Sequence, residues 1–248
     1  MAMLHNVARL LQQARRVAVL TGAGVSQESG VPTFRGPGGL WRQHRPEDLA
    51  TPEAFAKDPR LVWEWYDWRR GLIAEARPNP GHLALAALED RFEDFTLITQ
   101  NVDGLHRRAG SRQVVEIHGS IWEVRCLDCG DLREDRRAPI PILPTCSLCG
   151  GLLRPNVVWF GEALDPVRLE QVREALVRAQ VMLLAGTSAV VQPAAAFGLW
   201  AQQAGAVLVE INPVPTPLSL RCDYVLKGPA GEILPALLAA LPQPGGGL

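Results

Sequence analysis

The sequence predicts an α/β fold: a parallel sheet covered by helices on both faces, with a smaller unit inserted into it. Three observations predict this. Short, continuous apolar runs alternate with helical stretches, as strands buried on both faces of a parallel sheet require. A glycine-rich turn, "TGAGVSQESG", follows directly on the first of these runs. Two segments, 41–79 and 122–154, break the alternation; the first is rich in tryptophan and the second holds two C-x-x-C pairs.

Taken in order, Leu4, Val7, Ala8, Leu10, Leu11 and Ala14 recur at helical spacing, so residues 3–15 read as an amphipathic helix. "VAVL" (17–20) is a short buried strand that ends in the glycine turn. Asn79 and Pro80 stand in the cap and first-turn positions of a helix through "GHLALAALED". "FTLIT" (95–99), "VVEI" (114–117), "VMLLAG" (181–186), "AVLVEIN" (206–212) and "DYVL" (223–226) are the further strands. Residues 1–40, 80–121 and 155–240 then form the large domain. Residues 41–79 (helical) and 122–154 (cysteine pairs and the proline run "APIPILP") pack together as the small one, leaving a cleft between. Residues 241–248 read as a disordered tail. Ligands of such a sheet bind in the loops at the carboxyl ends of its strands.

Composition narrows the function classes. Apolar residues make up 47% and charged residues 21%, the balance of an ordinary soluble globular protein. A net charge of -1 gives no electrostatic case for nucleic acid or for a membrane surface. No window reaches the roughly 18 uninterrupted apolar residues of a membrane span, and "MAMLHNVARLLQQARR" does not read as a signal peptide. The expectation is a cytoplasmic monomer.

In "VLTGAGVSQESG" the glycines Gly22 and Gly24 lack the Cβ that would keep a pyrophosphate from the backbone, and the next helix offers free N–H groups to it. The dinucleotide pattern asks for a third glycine where Gln27 stands, and no ribose-binding acid follows at a strand end about 20 residues on. A plain tight turn would read the same way. Cys126-x-x-Cys129 and Cys146-x-x-Cys149 have the spacing of a four-thiolate zinc ribbon, with Gly130 and Gly150 supplying the turns. Four protein ligands leave no open position, so the zinc would be structural; two disulfides or a redox pair are the alternatives. Cys222 lies elsewhere and reads as a buried small hydrophobe.

The strand ends carry an identification. "GAGVSQESGVPTFRG" (22–36), "TQNVDGLH" (99–106), "EIHGS" (116–120), "GTSAVVQPA" (186–194) and "EINP" (210–213) occur in this order. With the cysteine pairs they resemble the sirtuin family, the NAD-dependent protein lysine deacylases, over about residues 8–240. The resemblance implies a Rossmann-type large domain, a small zinc-and-helix domain, and NAD meeting an acyl-lysine peptide in the cleft. It places the diphosphate on Gly22, Ala23, Gly24 and the N–H groups beyond, and the nicotinamide ribose under Phe34 and Arg35, with Trp41 a further cofactor contact. Gln100 and Asn101 would bind that ribose and Asp103 the carboxamide. Gly186, Thr187, Ser188 and Asn212 would take the adenosine side, and Ala230 the adenine end. His118 would be the general base, with Asn101 the second catalytic residue. The acyl oxygen attacks the ribose as nicotinamide leaves, and a ribose hydroxyl must then lose its proton to attack the imidate, giving O-acyl-ADP-ribose. Imidazole titrates near neutrality and suits that step. His82 and His106 lack this setting and read as structural. Val158, Trp159, Phe160 and Gly161 would pair with substrate backbone, and the bulk of Trp159 would narrow the tunnel.

"VWEWYDWRRG" (62–71) puts Tyr66 and Arg69 three apart on one helix face. Leu61, Trp65, Trp68 and Leu72 form a separate apolar stripe that would anchor the helix and leave the pair facing the cleft. A solvated arginine and a packing tyrosine is the other reading. The pair resembles the Y-x-x-R signature of a sirtuin subclass that removes acyl groups ending in a carboxylate, because a guanidinium fork meets a carboxylate bidentately. The resemblance thus implies a desuccinylase or demalonylase with weaker deacetylase activity. A NAD glycohydrolase, an ADP-ribosyltransferase-like enzyme or a non-catalytic NAD-sensing module are the alternatives.

Overall fold

The computed structural model describes residues 2–33 and 45–242. Phe34, Arg35 and Trp41 lie outside the described residues, as do residues 243–248. The chain opens with helix α1 (Ala2–Gln13), strand β1 (Arg16–Thr21) and the short α2 (Ala23–Gln27). Helices α3 (Pro46–Leu49), α4 (Pro52–Lys57), α5 (Pro59–Glu75) and α6 (Pro80–Glu89) precede β2 (Asp94–Thr99), α7 (Leu105–Arg108) and β3 (Val114–Glu116). Three strands follow, β4 (Gly119–Cys126), β5 (Leu132–Glu134) and β6 (Leu153–Val157). The remainder is α8 (Pro166–Arg178), β7 (Val181–Ala185), α9 (Phe197–Gln203), β8 (Val207–Asn212), β9 (Tyr224–Lys227) and α10 (Ala230–Ala240).

All six expected strands are present, in one parallel sheet of order β3-β2-β1-β7-β8-β9. Period-two alternation divides their side chains between two cores. Val17, Val19, Leu97, Leu183 and Val209 face α1, α6 and α10. Ala18, Leu20, Ile98, Met182 and Leu208 face α8 and α9. A strand covered on both faces has no polar side, which is why β1 and β7 read as unbroken apolar runs. Asn79 caps α6 as its sequence implies, accepting from the Gly81 and His82 amides while His82 Nδ1 accepts from the Asn79 amide.

The other three strands form an antiparallel sheet of order β5-β4-β6, which extends beyond residues 122–154 at both ends. It shares a third core with α4 and α5, built on Phe55, Trp63, Trp65, Trp122 and Trp159. The Trp63 indole donates to Leu153 O at 2.9 Å, and Asp67 accepts from the Ile140 amide at 2.7 Å, so α5 is tied to both ends of the ribbon.

Two expectations are corrected. Leu61 and Trp68 are each 45% exposed, so 61-65-68-72 is not the anchoring stripe. The buried stripe is Val62, Tyr66, Arg69 and Ile73, widened by Trp63, Trp65 and Arg70. It is the neighbouring row, rotated by one residue or about 100°, and it packs because its own side chains meet both the ribbon and the cleft. Leu241 and Pro242 do not begin a loose tail: Leu241 is buried in the α1/α10 core, and Pro242 O accepts from Arg91. None of the described helices is long and apolar enough to cross a membrane.

Gly119, the first residue of β4, has φ +79°, and a Cβ there would lie 2.1 Å from Asn156 O. Gly119→Ala is therefore expected to combine a left-handed backbone penalty with a steric one, destabilising by about 2 kcal/mol or more. Thermal unfolding checks this; a melting temperature within 2 °C of the parent, on a scale of about 2–4 °C per kcal/mol, would mean that the β4–β6 contact relaxes freely.

Candidate active site

Strand order reverses direction between β1 and β7, the switch point at which open α/β sheets bind ligands. The two strand ends meet there through glycine. A Cβ on Gly22 would sit 2.9 Å from Gly186 O, one on Gly24 2.8 Å from the same oxygen, and one on Gly186 2.5 Å from the Val25 amide nitrogen. The glycines thus serve the contact between two backbones before they serve any ligand. Gly24 N–H takes part in that contact, donating to Gly186 O at 2.9 Å. A cavity of about 870 Å³ opens above the turn, lined by Gly22, Ala23 and Gly24 from β1 and by Gly186, Thr187 and Ser188 from β7. Asn212 and Ala230 complete the same wall.

Gln100, Asn101 and His118 line the cavity from the ends of β2 and β3. Asn101 is fixed by donating to Gly22 O at 3.0 Å and Ser26 Oγ at 3.1 Å; Gln100 donates to Thr187 Oγ1 at 2.9 Å. His118 Nδ1 lies 3.0 Å from Gln100 O. A carbonyl only accepts, so Nδ1 carries the proton and Nε2 keeps the lone pair of a base. Burial holds the imidazole below its ordinary pKa, against the raising effect of that hydrogen bond. It is therefore neutral at pH 7.

Behind the floor lies a buried polar network. Ser26 Oγ donates to Asp103 Oδ2 at 2.8 Å, and Asp103 Oδ1 accepts from the Leu105 amide at 2.8 Å. Thr21 bonds Thr99 and lies 2.9 Å from His106 Nε2, whose ring packs 4.8 Å from that of His82. Burial pushes His82 down to about 4 and His106 well below its usual range. Asp103, expected at the nicotinamide carboxamide, is buried, its carboxylate held by Ser26 and the Leu105 amide.

The far end of the cavity is walled by Trp65, Tyr66 and Arg69 of α5 and by Val158, Trp159, Phe160 and Gly161 after β6. Tyr66 and Arg69 are buried. Arg69 Cζ stacks 4.9 Å over the Trp65 ring, and burial lowers its pKa against the pull of Tyr66 and Asp103. Burial raises the Tyr66 phenol, keeping it protonated. The extended stretch is less open than expected: the amides of Val158, Trp159 and Phe160 donate to His118 O, Glu162 and Ala50 O.

The sequence reading missed part of the lining. Pro213, Val214, Pro215, Thr216 and Pro217 wall the cavity; the signal was a stiff proline run directly after a strand end. Glu28 lines it too while accepting from the Gly231 amide at 2.9 Å. Arg70 was overlooked altogether. It is fully buried, its three guanidinium nitrogens find no hydrogen-bond acceptor among the described residues, and its support is Asp135 at 3.9 Å and the Trp122 ring at 5.3 Å. Burial lowers its pKa to about 10.

In the ribbon, the four cysteine sulfurs lie within 4.8 Å of one another, with Cys126–Cys149 at 3.5 Å and Cys129–Cys146 at 3.8 Å. These are not disulfides. A tetrahedron of Zn–S bonds of about 2.3 Å has edges of about 3.8 Å, so the four thiols fit zinc with no position left open. Gly130 and Gly150 turn each knuckle at positive φ. Cys222 is half-buried, its thiol pushed up to about 12 by burial and by Glu210 and Asp223.

Two measurements follow. Elemental analysis should find one zinc per chain, and Cys146→Ser should lose it and melt earlier; full zinc in Cys146→Ser would displace that ligand from the site. The second concerns acid. His82, His106 and His118 all have folded pKa values below that of an unfolded imidazole, so the unfolded chain binds more protons below about pH 6.5. Stability is therefore full above that pH and lost as pH falls toward 4, on the order of 3 kcal/mol from His82 alone. Denaturant unfolding at pH 7.5, 6 and 5 checks the sign, which a flat or rising series would reverse.

The comparisons agree with this geometry. The Sir2 family model matches residues 22–193. The chain is 54% identical over 233 residues to NAD-dependent protein deacylase 2 of Pyrobaculum aerophilum, covering 94% of each chain. It is 54% identical over 212 residues to the NAD-dependent protein deacylase of Aquifex aeolicus, covering 85% of this chain and 89% of that one. A crystal structure of a Sir2 homologue with NAD matches at a TM-score of 0.90 and 51% identity, over 94% of this chain and 92% of that chain. With the family pattern spanning most of the sequence and half of all positions identical over nearly its whole length, the chain belongs to the Sir2 family.

Proposed function

We propose that this protein is an NAD-dependent protein-lysine deacylase whose preferred acyl groups end in a carboxylate: succinyl, malonyl or glutaryl, with weaker deacetylation. The relatives' activity supports the deacylase reading. The acyl class rests on one observation: a buried guanidinium, Arg69, and a buried phenol, Tyr66, line the same cavity as His118 and the glycine turn.

The residues fit NAD. Where three glycines remove every Cβ, Ala23, Thr187 and Ser188 border the space for a diphosphate and its adenosine, with Asn212 beside them. Bound there, NAD supplies an electrophilic ribose carbon to take the acyl oxygen. Asn101, held by Gly22 O and Ser26, positions the ribose hydroxyls. His118 Nε2, unprotonated and facing the cavity, removes the hydroxyl proton that the second step must lose. The substrate lysine enters past Val158 to Gly161, and its acyl end meets Tyr66 and Arg69.

Desolvation decides the selectivity. A charge-assisted hydrogen bond contributes about 1.5–3 kcal/mol, and an acetyl group, ending in a methyl, can make none to the guanidinium or the phenol. Arg69→Met should therefore lower the ratio of kcat/KM for succinyl- over acetyl-lysine peptide by about tenfold or more. Matched peptides and mass detection of O-acyl-ADP-ribose measure it. Proportional losses on both substrates would show that Arg69 does not read the carboxylate.

A further inference from the structure

We propose that Trp159 is a specificity-determining positioning residue: its indole N–H locks the Tyr66 hydroxyl as a donor to the carboxylate of the acyl group. The proposal rests on the carboxylate reading above and adds the residue that makes the phenol directional.

Trp159 Nε1 lies 2.9 Å from Tyr66 Oη, and both side chains are buried in the cavity wall. An indole nitrogen donates and never accepts. Tyr66 oxygen must therefore be the acceptor in this bond, and its single proton points elsewhere. Among the described residues no acceptor takes that proton. What lies in reach is the cavity shared with Arg69. A serine, asparagine or water in place of the indole could accept the phenol proton and turn the hydroxyl away from the substrate; tryptophan cannot. Donation into the phenol oxygen also polarises the O–H, strengthening the bond it makes in turn.

The indole itself has little freedom. Arg154 Cζ stacks 3.5 Å from its ring centroid, Phe55 packs at 5.3 Å, and the Trp159 amide donates to Glu162 Oε2 at 2.8 Å. Glu162 holds Arg154 in a two-point ion pair of 2.6 and 3.0 Å, and Arg154 donates to Val157 O at 3.0 Å as well. Ion pair, guanidinium stack and indole thus form one rigid support, and its outermost donor is aimed at the phenol. A ring needed only as bulk in the tunnel wall would require no N–H and no such support.

The test is Trp159→Phe, which keeps an aromatic ring and deletes the donor, alone and combined with Tyr66→Phe. Trp159→Phe should lower the succinyl-to-acetyl ratio of kcat/KM by about three- to tenfold, the weight of one neutral hydrogen bond, chiefly through a higher KM for succinyl-lysine. On Tyr66→Phe it should lower the ratio no further, since the phenol through which it acts is gone. In ¹⁵N-labelled protein the indole resonance missing from Trp159→Phe identifies Trp159; it should move upfield in Tyr66→Phe. A Trp159→Phe ratio equal to the parent's, an additive loss in the double variant, or an indole resonance unmoved by Tyr66→Phe would each overturn this role alone. A parent enzyme with no preference for succinyl-lysine would remove the acyl-class reading and this role with it.

Discussion

The site depends on how close two backbones can come at the switch point. Gly22 and Gly24 at the end of β1 press against Gly186 at the end of β7, and each of the three positions has a carbonyl or amide where a Cβ would stand. That contact sets the depth of the turn and fixes Asn101, which donates to Gly22 O. Gln100 reaches Thr187 across the same gap, and its carbonyl selects the His118 tautomer. An imidazole, a side-chain amide and a glycine turn thus share a single backbone reference.

The layer beneath them is polar and buried. Thr21, Ser26, Thr99, Asp103, His82 and His106 are buried, a costly inventory unless its groups find partners. Most do, but His106 Nδ1 finds none among the described residues. The arrangement holds Asn101 from below as well as from the side, and it keeps the imidazoles neutral. Asp103 belongs to this support; its carboxylate reaches the cavity through Ser26 and Asn101.

Helix α5 serves two purposes on one stripe. Val62 and Ile73 pack into the ribbon core, while Tyr66 and Arg69 between them reach the cavity. A charged side chain on a packing stripe is costly unless something repays its desolvation. The Trp65 ring and the phenol beside it contribute to this at Arg69. Arg70, next in sequence and deeper still, shows the other solution: a long ion pair and an aromatic face, with no hydrogen bond among the described residues.

Much of this was legible in the chain. The central strands β1 and β7, buried on both faces, show no polar alternation, and the expected bounds of all six strands agree with the sheet to within a residue or two. The cysteine spacing specified a tetrahedral donor set, and Asn79-Pro80 announced its helix because cap chemistry is local. What tertiary structure alone decided was direction. Two adjacent rows of α5 both carry large apolar and aromatic side chains, and only contact with the ribbon chose 62-66-69-73 over 61-65-68-72. Only the folded chain shows Gly24's amide donating to Gly186 O, Asp103 held by Ser26, the 213–217 prolines on the wall and Trp159 donating to Tyr66 across 93 residues of sequence. Periodicity and spacing record what a residue does with its neighbours in the chain; which way a buried donor points is set by atoms that are neighbours only after folding.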